Sequence, residues 1–82
     1  MSGNGQNILV RMINQIGTFF EDMPDRKEAM QDLVGHIKRS WAVSMRTDFF
    51  AYVDAHGYEE IHPVAAEAVQ LHRAYLTAPS AM

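Results

Sequence analysis

The side chains of this 82-residue chain best equipped for chemistry are four histidines, His36, His56, His62 and His72. Two histidines that share a metal from one helix face must lie three or four residues apart, as in H-E-x-x-H. No pair here has that spacing. The chain has no cysteine, so it offers no thiolate for zinc or iron–sulfur ligation and no disulfide. Carboxylates cluster at Glu21-Asp22, Asp25 and Glu59-Glu60, at expected helix ends or in a loop, where capping and dipole compensation account for them. Nucleophile elbows, phosphate-cradling glycine loops and dinucleotide fingerprints are absent, and Gly3 and Gly5 follow no strand. A small helical domain without insertions also leaves little room for a substrate pocket of roughly 300 Å3. The expectation is therefore no catalytic residue, no cofactor-binding residue, no metal ligand, and no enzyme by itself.

Charge points the same way. Seven Lys+Arg against ten Asp+Glu give a net charge of −3, and no run of like charge exceeds two residues. Nucleic acid and acidic membrane surfaces call for clustered positive charge, so neither is an expected partner. Apolar runs such as Ile8-Leu9-Val10 fall far short of the roughly 18 residues of a membrane span. The opening residues lack the basic flank and apolar stretch of a signal peptide, and the expected location is the cytoplasm. With 48% hydrophobic and 21% charged residues, the chain has the composition of one small globular domain.

Four segments carry apolar residues at the helical period. In the first, residues 7–22, Ile8, Leu9, Met12, Ile13, Ile16, Phe19, Phe20 and Met23 share an arc of about 140° at 100° per residue. Pro24 ends it, since the residue before a proline is pushed out of helical geometry. The second, residues 25–41, opens on Asp25 with Glu28 three residues on, and its stripe is Met30, Leu33, Val34, Ile37 and Trp41. The third, residues 44–56, buries Met45, Phe49, Tyr52 and Val53, with Gly57 as its left-handed terminator. The fourth, residues 63–76, starts at Pro63 and presents Val64, Ala68, Leu71 and Tyr75, with His72 packed inside the stripe. This predicts an all-α fold, a small bundle of about four short helices over residues 7–76, with flexible tails at 1–6 and 77–82.

Some residues fall outside these stripes. Phe50, beside Val43 and Arg46, and Val69 and Leu76 in the fourth segment are either a second buried face or an exposed patch for a protein partner. An Arg46 guanidinium laid on Phe50 would suit such a patch. On the polar side of the first helix, Arg11, Asn14 and Gln15 are expected to make partner contacts, because the core has no use for them.

The run from Ile8 through Arg11-Met12-Ile13-Asn14-Gln15-Ile16 to Phe19-Phe20 resembles the opening of the delta subunit of NAD-dependent, molybdenum-containing formate dehydrogenases. That family opens approximately L-V-x-M-A-N-Q-I-x-x-F-F, followed by Pro and an acidic helix start, as in Met23-Pro24-Asp25 with Glu28-Ala29. His36-Ile37, Trp41 and Met45-Arg46 are similar to its H-I-x-x-F-W-x-P-x-M segment, and Asp54-Ala55-His56-Gly57 with Pro63-Val64 follow in order. The likeness covers residues 7 to 75. Two departures stand out: Ser40 replaces an aromatic, and Val43-Ser44 replaces a Pro and often an Arg. Losing that Pro leaves open whether segments two and three are separate or one continuous helix. The resemblance implies a non-catalytic accessory subunit on the large, molybdenum-carrying catalytic subunit of a complex that oxidises formate to CO2. The complex would carry molybdenum cofactor, iron–sulfur clusters and FMN and reduce NAD+, with none of these bound by this chain. The alternative from the residues alone is a free-standing helical interaction or regulatory domain, or a self-associating bundle.

Overall fold

The computed structural model describes residues 4–78, with side chains from Ile8 onward, and those residues form five helices and no strand. They are α1 (Asn4–Phe20), α2 (Arg26–Ser40), α3 (Val43–His56), α4 (Pro63–Leu71) and α5 (Arg73–Thr77). The all-α expectation holds. Residues 1–3 and 79–82 of the expected tails lie outside the described residues. α1 starts at Asn4, ahead of the expected residue 7: a helix, once nucleated, gains a bond for each residue added, and no proline stops it here.

Local chemistry sets the other boundaries. The Asp25 carboxylate accepts the N–H groups of Lys27 at 3.0 Å and Glu28 at 3.2 Å, which caps α2. Trp41 and Ala42 are extended, so α2 and α3 are separate helices even without a proline between them. Trp41 itself is buried and meets Phe49 edge-on, with centroids 6.1 Å apart, and that anchor holds the chain at the bend. Gly57 terminates α3 with φ 83° and ψ −173°, a positive-φ region open essentially to glycine alone, with an extended ψ in place of the left-handed helical value expected.

The fourth segment departs from its expected course. It breaks at His72 (φ −111°, ψ 25°) into α4 and α5. The turn swings Leu76 into the core and brings Arg73 onto α3, where its guanidinium grips Asp54 through two 2.8 Å bonds and lies 4.5 Å from the Phe50 ring centroid. Leu71 and Tyr75, expected inside, are consequently exposed, while Val69 and Leu76 are buried. Lys38 holds the end of α5, donating to the Tyr75 carbonyl at 2.6 Å.

The core joins Leu9 and Ile13 of α1, Leu33, Val34 and Ile37 of α2, Phe49 and Val53 of α3, and Val64, Ala65, Ala68 and Val69 of α4. Each large side chain among them contributes about 1.5–3 kcal/mol by leaving water. The fully buried Ala65 and Ala68 let α4 lie close against its neighbours α2 and α1. That close approach fixes where the loop before α4 meets α1.

Candidate partner-docking surface

At 100° per residue, the buried face of α1 is centred on Leu9, Ile13, Gly17 and Val10, turned by roughly 80° from the middle of its apolar arc. The two edges of the helix therefore do different work.

On one edge, Asn14, Gly17 and Glu21 hold the loop that leads into α4. The Asn14 amide donates from Nδ2 to the Glu60 carbonyl at 2.9 Å, and its Oδ1 accepts the His62 N–H at 2.7 Å. Gly17 leaves the space into which His62 fits: a Cβ there would sit 2.9 Å from His62 Cβ and Cγ. His62 Nδ1 accepts the Val64 N–H at 3.2 Å and so caps α4, which puts the ring proton on Nε2, donated to Glu21 Oε1 at 2.7 Å. A glutamate–histidine pair suggests acid–base chemistry, yet both ring nitrogens are committed to holding the fold. Asn14, expected as a partner contact, is thus an internal bracket. Its partners lie 46 and 48 residues away, and a helical wheel cannot display them.

The opposite edge of α1 overhangs the core. Phe19 is 75% exposed and Ile8 55%, with Met12 half-buried between them. Arg11 and Gln15, both exposed, border this apolar edge. Phe19 stacks edge-on with Phe20 (centroids 5.0 Å apart), and Phe20 tilts against His36 of α2. Gln15, Ile16, Phe19, Phe20 and His36 line one shallow apolar groove of about 280 Å3. An exposed aromatic beside a groove with polar flanks has the anatomy of a protein interface, an apolar centre with a polar rim. Among the five residues expected to meet a partner, the structure brings Arg11 and Gln15 to this face. Sequence reasoning placed Phe19 in the core stripe and so missed it; the wide arc, broader than one packed face requires, was the available signal.

Arg46 and Phe50 are elsewhere and inside. Each is only 4% exposed, so the exposed aromatic-and-arginine patch is not present in the chain alone. Phe50 packs against Phe49 (5.4 Å between centroids), and Arg73, rather than Arg46, lies on its ring. The correction has a simple cause: α3 packs on both α1 and α5, so it buries two faces.

On the α3 side, neighbouring side chains shift one another's titration. The Arg73 guanidinium holds the Asp54 carboxyl below its ordinary range, and Asp54 in turn raises Arg73. The hydrogen bond from the Tyr52 hydroxyl to the Glu60 carboxylate, 2.8 Å, raises that phenol, and burial raises Tyr58. Among the described residues, no three His, Asp or Glu side chains come together as a metal-binding group. No helix among them is long and apolar enough to cross a membrane.

A family model described as NADH-dependant formate dehydrogenase delta subunit FdsD matches residues 8–69, more than half of the chain. Searches of the curated proteins and of the solved structures each gave no significant match.

Proposed function

The chain belongs to the NADH-dependent formate dehydrogenase delta subunit family, and from that premise we propose that it is a non-catalytic accessory subunit docking on the large catalytic subunit of a cytoplasmic formate dehydrogenase. The observation that carries the docking role is the overhang of α1. Phe19 and Ile8 stay exposed on a helix whose core-facing side is already filled. Covering one large aromatic side chain on a partner is worth about 1.5–3 kcal/mol by area alone. Arg11 and Gln15 at the rim supply directional contacts, and the overhang lies inside the matched region. Docked there, the chain supports assembly, stability or activity of the large subunit.

The redox groups of such a complex belong to its other subunits in this reading. The chain has no cysteine to ligate iron–sulfur clusters. Its most enzyme-like pair is committed to the fold, His62 capping α4 and donating to Glu21. No step of formate oxidation runs through these residues.

The test is affinity capture of the tagged chain from native lysate, with mass-spectrometric identification, alongside Phe19→Asp. The expected result is recovery of the large molybdenum subunit with the wild-type chain and its loss with Phe19→Asp, while the variant's circular dichroism is unchanged. A wild-type chain that elutes alone or only as a homodimer would overturn the reading in favour of a free-standing or self-associating domain.

A further inference from the structure

Arg46 is the single charged residue buried among the described residues. Its Nε and Nη1 are enclosed without a hydrogen-bond partner, and no carboxylate among the described residues lies within ion-pair distance. A guanidinium stays protonated at any physiological pH, so it cannot escape burial by neutralising. An enclosed cation with no counter-charge is unstable and calls for one. The other arginines in ion pairs show what is missing: Arg26 meets Glu67 at 2.6 Å and Arg73 meets Asp54 at 2.8 Å.

The place compounds the charge. Arg46 closes the first turn of α3, and a helical side chain leans back over the turn before it, here Ala42 and Val43. Ala42 has no side-chain oxygen to cap the helix, and the first turn holds no acidic residue. By contrast, Asp25 caps α2 and His62 caps α4. The first-turn N–H groups and the positive end of the helix dipole thus share the first turn of α3 with Arg46, the residue whose guanidinium is unpaired. Val43, beside them, is 56% exposed, which puts this end of the helix at the surface.

We infer that the N-terminal turn of α3 receives a carboxylate from the partner subunit, an Asp or Glu side chain presented on an apolar segment that covers Val43. The free N–H groups of the turn then bind the carboxylate oxygens as charge-assisted hydrogen bonds, and the carboxylate supplies the counter-charge that Arg46 lacks. This inference rests on the docking reading above and adds the chemistry of a second contact, separate from the Phe19 edge.

The experiment pairs two measurements on the full chain: the thermal midpoint of the isolated protein and co-purification with the large subunit. Arg46→Met, of similar length without the charge, is expected to leave the midpoint equal or higher while weakening association about tenfold or more. Arg46→Lys, which keeps the charge, is expected to bind more tightly than Arg46→Met. A lowered midpoint for Arg46→Met would overturn the inference, because Arg46 would then be serving the fold. Unchanged association, with the wild-type chain still binding, would overturn it and leave the docking reading intact. If the wild-type chain fails to bind at all, the docking reading falls and takes this inference with it. Inorganic phosphate is the control: a midpoint raised by phosphate in wild type but not in Arg46→Met, with unchanged association, would assign the site to a free anion and overturn the partner carboxylate.

Discussion

The junction between α1 and α4 and the first turn of α3 make opposite use of polar groups. At the junction, Asn14 answers both a carbonyl and an N–H, and His62 uses both ring nitrogens. At the start of α3 the cap is an alanine and the buried guanidinium has no partner among the described residues. Buried polar groups in stable folds are almost always paired. Where the pairing is complete the residues are structural, however reactive they look; where it is missing, the proposed partner is a carboxylate of another chain. This contrast gives Asn14 a structural role that its place on the helical wheel does not display, and gives a new meaning to the expectation at Arg46.

The largest effect expected of a change that sharpens the comparison is at Asn14. Asn14→Ala removes two hydrogen bonds and strands the His62 N–H, a loss of about 2–3 kcal/mol in the isolated chain, read by chemical denaturation. Gln15→Ala, one residue away and exposed, is expected to change stability by no more than about 0.5 kcal/mol. Equal losses for the two would break the distinction between bracket and rim.

A smaller effect is expected where α5 meets α3. The folded-state pKa of Asp54 is lowered because Arg73 binds both carboxylate oxygens. A group with a depressed folded value contributes stability above its ordinary value of 3.8, and loses that contribution as pH falls through the lower folded value. Asp54→Asn should therefore melt slightly below wild type at neutral pH, and the gap should close as the pH drops below that ordinary value. The pair is solvent-exposed, so added salt should also narrow the gap. A gap independent of pH would mean that the pair does not hold α5.

The helical segments were legible because the 3.6-residue period and the caps at Asp25, Gly57 and Pro63 are local signals. The break at His72 was not, because both sides of it continue the same period and the bend is set by where Leu76 and Arg73 find partners on other helices. Phe50, Val69 and Leu76 fell outside single stripes for a related reason: helices in a small bundle bury more than one face, which a single-helix wheel cannot represent. Of the surface residues, Arg11 and Gln15 were placed correctly on the exposed side of α1. Phe19 was not, because a wheel reports which residues are apolar but not how far the neighbouring helices reach around them.

Hydrogen exchange of the chain, free and then bound in the formate dehydrogenase complex, tests the central claim most directly. The first-turn amides of Val43 and Ser44 precede the first intrahelical bonds of α3 and have no helical acceptor of their own. The account predicts that they slow on binding, while the amides of Ile61 and His62, already held by the Tyr58 carbonyl and by Asn14 Oδ1, do not change. Slowing of Ile61 and His62 with Val43 and Ser44 left fast would contradict it.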